Sequence, residues 1–132
     1  MRIAILQSSY IPWKGYFDLI HSVDEFVLYD DVQYTRRDWR NRNRIKTPNG
    51  PAWLTIPVHT TGHYLDAIKD VTISDPSWRA KHWRMLTANY AKCAHFRRYA
   101  DVFERLYVQR DDLRWQRDQL QREQREIRRE GP

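Results

Sequence analysis

Cysteine is almost absent from this chain: Cys93 is the single one in 132 residues. That excludes an intramolecular disulfide framework and a cysteine zinc cluster. Long apolar runs are missing too. The amino-terminal RIAIL stops at Gln7, too short for the core of a signal peptide, and no window reaches the length of a membrane span. There is no P-loop, no GxGxxG and no nucleophile elbow. The histidines show no zinc spacing; His59 and His63 are four apart, but Thr60, Thr61 and Gly62 between them read as a loop. No metal site is expected. What these absences leave is a soluble cytoplasmic protein whose length suits one domain.

What is present in abundance is positive charge and aromatic surface. Lys and Arg number 23 against 17 Asp and Glu, a net charge of +6, and the pI is near 9.7. Such a balance suits phosphates on a nucleotide, a nucleic acid or a lipid head group. Six tryptophans supply material for a core. The excess charge sits mainly in residues 36–46 and 79–98, and the signs almost cancel from Gln109 onward.

Residues 2–7 read as a short buried strand of the kind found in parallel sheets. SSYIP breaks it, and Pro12 suits the first turn of a helix whose apolar stripe is Trp13, Phe17, Ile20 and Val23. EFVLYDD follows as a second strand, completing a βαβ start. TPNGP marks a turn, AWLTIPV a third strand ending near a sheet edge at Pro57, and IKDVTIS a fourth. Ser77 is placed to cap a helix over residues 78–90, with Trp78, His82, Met85, Leu86 and Ala88 or Asn89 on its inner side. A further helix begins near Phe96. Beyond it, Tyr99, Leu106, Leu113, Leu120 and Ile127 repeat every seven residues with polar residues at the alternate core positions. That pattern is read as a solvated charged helix, or as a half-filled heptad suited to helix-mediated self-association. The fold class expected is α/β, a small mainly parallel sheet followed by a helical tail, with residues 1–107 as domain and 108–132 as tail.

Chemistry concentrates in the first half. In open α/β sheets, ligands bind beyond the carboxyl ends of the strands, where helix amino termini point their N–H groups. Gln7, Ser8, Ser9 and Lys14 are the polar groups of the first strand–helix junction, Gly15 allows close backbone approach, and Tyr16 faces the cleft or packs beneath it. Asp30 and Asp31 end the second strand and point to opposite faces, one suited to ligand or general-base work and the other to an ion pair with Arg36 or Arg37. If WRNRNRIK is extended and not an irregular loop, alternation puts Arg40, Arg42 and Arg44 on one face and Asn41, Asn43 and Ile45 on the other. Arginines in a row can hold a phosphate bidentately. The bland alternatives are a solvated charged face, or asparagines that only fix turns. Tyr34, Trp39 and Trp53 among these basic residues would also suit nucleic acid, but no recognition signature is present and Asp30, Asp31 and Asp38 would repel a backbone.

The words AILQSSYIPWKGYF, YDDVQY, WRNRNRI and WLTIPV, followed by WRAKH, resemble the WbqC-like family over roughly residues 3–106. Ser8 stands where that family's pattern has proline. The resemblance implies a cytoplasmic enzyme of surface-glycan (O-antigen) biosynthesis, an acyl or aminoacyl transferase acting on a nucleotide-linked amino sugar. It also implies a member shorter than usual, lacking the later α/β segment. The same words supply the candidate substrate contacts: Gln7, Tyr10, Lys14, Gly15, Tyr16, Gln33, Trp39, Asn41, Arg42, Asn43, Arg44, Lys81 and His82, with Asp30 and Asp31 as candidate catalytic carboxylates. The layout is also similar to nucleotidyltransferase-like enzymes, with Trp13 and Tyr16 where their histidines would stand, so ATP or a nucleotide sugar is the expected substrate. The competing expectation is a non-catalytic basic module that binds a nucleotide, nucleic acid or a partner protein.

Overall fold

The computed structural model describes residues 1–109. These form two compact units, Met1–Trp78 and a second beginning at Arg79. The class is mixed α/β. In the first unit β1 (Ile3–Leu6) and β2 (Glu25–Leu28) pair in parallel, Ile3 opposite Glu25 through Leu6 opposite Leu28. Helix α1 (Lys14–Ser22) is their crossover, as the βαβ reading required. Pro12 lies before the helix instead of in its first turn, because extended Trp13 occupies the capping position.

The buried face of α1 also differs from expectation. Trp13, Phe17 and Ile20 form the expected stripe but are exposed, and Tyr16 is the residue that goes inside. Its ring packs edge-on against Phe26 at 5.4 Å, and its hydroxyl donates to the Gln7 carbonyl at 3.1 Å. A tyrosine can be buried this way because its one polar atom has an acceptor. Phe17 has no such anchor toward the sheet and stays outside.

The parallel part ends there. The second pair, β3 (Arg42–Thr47) and β4 (Gly50–Thr55), is an antiparallel hairpin that does not join the first sheet. Pro48 and Asn49 make its turn, and Gly50 follows at φ 102°, where a side chain would be strained. One face of the hairpin carries Ile45 and Leu54, 6% and 1% exposed, which are the centre of the unit's core. The opposite face carries Arg42, Arg44 and Lys46 from β3 and Trp53 from β4.

IKDVTIS is not a strand. Ile68–Asp70 form a 3₁₀ turn, and Ile73 makes only an isolated bridge to Val58. Pro57 lacks a backbone donor, so pairing there cannot extend into a ladder. The 310 turn instead closes against the chain after β2, with Lys69 N–H donating to Asp30 O and Ile68 N–H to Val32 O.

Helix α2 (Trp78–Tyr90), whose first residue ends the first unit and whose remainder opens the second, follows a turn in which Asp75 Oδ1 accepts from the Ser77 N–H at 2.8 Å. His82 is buried, and Asn89, not Ala88, takes the inner side. Helix α3 (Phe96–Glu104) runs into a π-type turn, Arg105–Gln109. Trp83 stacks between Phe96 and Tyr107, at 6.0 and 6.3 Å. The heptad positions Leu113, Leu120 and Ile127, and with them the tail, lie outside the described residues.

Candidate functional site

At the carboxyl ends of β1 and β2 the polar groups are tied to one another. Asp30 accepts from the Ser8 N–H at 2.8 Å and from the Ser8 hydroxyl. Arg40 Nη1 donates to the Ser8 carbonyl at 2.6 Å, and its Nε lies 3.6 Å from Asp38. Asp31 pairs with Lys69, whose ammonium pKa is raised by the Asp31 hydrogen bond and charge. The expected partners Arg36 and Arg37 are not used. Gln7 receives the Tyr16 hydroxyl, and Gly15 accommodates not a ligand but the Trp13 indole, whose ring atoms a Cβ would meet at 1.8 Å. Lys14 opens α1 exposed, and Gln33 donates to the Tyr64 carbonyl at 2.7 Å.

The arginine–asparagine alternation holds within β3, while Arg40 and Asn41 precede the strand. Two consecutive β3 residues have the same structural job on opposite faces. The described non-glycine residues with positive φ are Ile11 at 47° and Arg37 at 60°. For a β-branched residue this region is strongly disfavoured, at a cost of about 1–3 kcal/mol. Asn43 Nδ2 donates to the Ile11 carbonyl at 2.5 Å and the Tyr10 carbonyl at 3.2 Å. Arg42 Nη2 donates to the Arg37 carbonyl. Each strained turn is therefore gripped at its own carbonyl. Tyr10 is further fixed by its N–H to the Trp39 carbonyl, and its ring meets Trp78 edge-on at 5.8 Å.

A hollow of about 250 Å³ opens beside the start of the hairpin, lined by Tyr34, Arg36, Arg37, Asn41, Arg42 and Thr60 among others. Three arginines on one small concavity concentrate positive charge there. Asn41 Nδ2 donates to the Ile56 carbonyl at 2.8 Å, which fixes the amide so that Oδ1 is the other end. That Oδ1 and Arg42 Nε are buried without a hydrogen-bond partner. A buried polar atom left without any partner, water included, costs about 1–3 kcal/mol. Both atoms belong to residues of the hollow's own wall. Burial raises the Tyr34 pKa, against the opposing pull of Arg36 and Arg42, so its hydroxyl stays protonated and can donate. Asp38 is the nearby acid. Burial pushes its pKa upward but is outweighed by hydrogen bonds from the Trp39 N–H and the Thr35 hydroxyl and by the charge of Arg40, and the carboxyl lies below its ordinary value.

Of the expected contacts, the hollow brings together Asn41 and Arg42. Gln7, Gly15, Asp31 and Asn43 do not line it. Trp39 and Arg44 lie on the outer side of the hairpin around Trp53: Trp39 has its ring 5.7 Å from the Trp53 ring and Arg44 has its guanidinium 5.4 Å over it. Lys81 and His82 belong to α2 in the second unit, Lys81 exposed and His82 buried. The wall of the hollow also carries Arg36, Arg37 and Thr60, which were not among the expected contacts, and Tyr34, expected only as a stacking residue for nucleic acid. Arg36 and Arg37 lie inside the charged stretch and were accessible from its composition; Thr60 has no local signal and arrives through the fold. Among the described residues no cluster of His, Cys, Asp and Glu is arranged for a metal, and no helix is long and apolar enough to cross a membrane.

Comparison with known proteins adds three findings. The chain is 52% identical over 108 residues to Uncharacterized protein Rv1507c of Mycobacterium tuberculosis, covering 82% of this chain and 47% of that protein. It thus spans about half the length of the curated relative it matches. No solved structure matches. The family model described as WbqC-like matches residues 7–119, which takes in the strand–helix junction, the hairpin and the arginine hollow, and the chain accordingly belongs to the WbqC-like protein family.

Proposed function

We propose that this chain binds a phosphorylated, nucleotide-linked amino sugar and belongs to the acyl or aminoacyl transfer chemistry of surface-polysaccharide synthesis. The observation that supports this reading best is the hollow itself, with Arg36, Arg37 and Arg42 on its wall and a donor and an acceptor of wall residues, Arg42 Nε and Asn41 Oδ1, without protein partners. A sugar phosphate carries the complementary pair, anionic oxygens beside hydroxyl or amine donors. In such a transfer a neutral amine attacks an acyl carbonyl, an amide bond forms, the donor's leaving group departs, and a positioned carboxylate takes the amine proton. Asp31 is the more exposed of the two carboxylates and the candidate for that role, although it pairs with Lys69 and lies off the wall of the hollow.

The engagement of Asp30 and Asp31 by Ser8 and Lys69 favours a second reading, in which this stretch supplies binding only. Calorimetry of the chain against uridine- and thymidine-diphosphate amino sugars and ATP tests the shared part. Binding that Arg37→Ala and Arg42→Ala each weaken roughly tenfold or more is expected. A folded sample that binds none of them overturns the proposal. Amide product from an added acyl or aminoacyl donor, lost in Asp31→Asn, separates catalysis from binding alone.

A further inference from the structure

We infer that the outer face of the β3–β4 hairpin is a nucleobase platform, made by Trp53 and Trp39 and joined to the arginine hollow through Arg42. The unit would then take a nucleoside diphosphate with its phosphates in the hollow and its base on the indoles. This rests on the preceding reading and deepens it.

Trp53 sits on the solvent side of a hairpin whose core is supplied from the other face by Ile45 and Leu54. Trp53 and Trp39 are 45% and 44% exposed. Their rings, 5.7 Å apart, are tilted by 36° instead of stacking flat. Two large indoles left open side by side are a binding feature more often than a packing one. Their surroundings fit a nucleotide. The Arg42 guanidinium lies 4.3 Å and that of Arg44 5.4 Å from the Trp53 ring centroid, so the ring already carries flat cationic groups where a flat base would lie.

Arg42 couples the two halves. It lines the hollow, covers Trp53, and spends Nη2 on the neutral carbonyl of Arg37 while Nε is unpaired. Turning toward a phosphate would exchange one neutral acceptor for charged ones and uncover the indole. Asp38, whose Oδ1 accepts from the Trp39 N–H at 2.7 Å, places negative charge beside the platform. That disfavours the continued backbone of a nucleic-acid strand and leaves a mononucleotide as the ligand.

The test compares inorganic pyrophosphate, uridine diphosphate, adenosine diphosphate and a short single-stranded oligonucleotide by calorimetry. The nucleoside diphosphates are expected to bind roughly tenfold or more tightly than pyrophosphate, the advantage that stacking one base supplies. Trp53→Ala should remove that advantage, bringing nucleoside diphosphates and pyrophosphate to similar affinity, while Arg42→Ala weakens all of them. Trp53→Phe, should the alanine variant not fold, retains a smaller platform and part of the advantage. Fluorine resonances of 5-fluorotryptophan-labelled protein at positions 39 and 53 should shift further with uridine diphosphate than with pyrophosphate. Equal affinity for pyrophosphate and nucleotides overturns the platform while the arginine hollow stands. An unchanged ratio in folded Trp53→Ala and Trp39→Ala variants does the same, as does tighter binding of the oligonucleotide. Failure of every phosphate compound to bind overturns the earlier reading as well.

Discussion

At the scale of single residues, much of the charge in the opening stretch is committed to holding backbone. Ser8 uses both its N–H and its hydroxyl on Asp30. Asp38 is the clearest case with a pH signature. Its folded pKa is below the ordinary 3.8. It therefore adds stability above the unfolded value and loses it as pH falls through 3.8 toward the lower folded pKa. Thermal melts between pH 6 and about pH 2 should show a steeper acid decline for the native chain than for Asp38→Asn. Equal slopes would mean that the Trp39 and Thr35 hydrogen bonds do not favour the ionised form. The aspartates also show what a sequence conceals. Their strand-end position was legible from YDDVQY, but Asp30's partner is 22 residues away and Asp31's is 38, and no local pattern names a partner over such separations.

Among the elements, the β3–β4 hairpin was readable in part: AWLTIPV was expected as a strand, while WRNRNRIK stood open between an extended segment and a loop. TPNG specifies a turn, and RNRI alternates with the period of a strand, so Arg42 and Arg44 face one way and Asn43 and Ile45 the other. Helix α1 was read with the wrong face inward because its apolar residues leave more than one side eligible, and the choice fell to Tyr16 through a carbonyl contributed by β1's continuation. The alternation did not disclose that Asn43 supports a strained loop. That role has a direct test. Asn43→Ala should destabilise the chain by about 1–3 kcal/mol in urea unfolding, and Ile11→Gly, which relieves the left-handed φ, should stabilise it by up to about 1 kcal/mol. In the double variant the two changes should not add, since they act on one turn. Strict additivity would show that the amide and the strained residue are energetically independent.

For the molecule as a whole, the contrast between its two strand pairs matters most. Parallel strands are normally covered on both faces, yet Ile3, Ile5, Leu6, Val27 and Leu28 are exposed here, whereas the hairpin buries Ile45 and Leu54. Amide hydrogen exchange should accordingly find the β1–β2 bonds opening at lower free energy than those of β3–β4 within the first unit. Slower exchange in β1–β2 would show that this pair has cover not evident in its exposure. The mixed α/β class was legible because each element carries its own period; the division into units at Trp78 and the placement of the hollow depend on long-range packing that no period encodes.

Because neighbouring residues of β3 secure two separate loops, the hairpin's alignment cannot drift in small steps. Sliding β3 by a single position would reverse its faces, carrying the Asn43 amide toward Trp53 and the Arg42 guanidinium toward Leu54. Both carbonyls would be let go at once, and a charge would enter the apolar interior. Strand alignment, the two loop shapes and the wall of the hollow are thus inherited together or lost together.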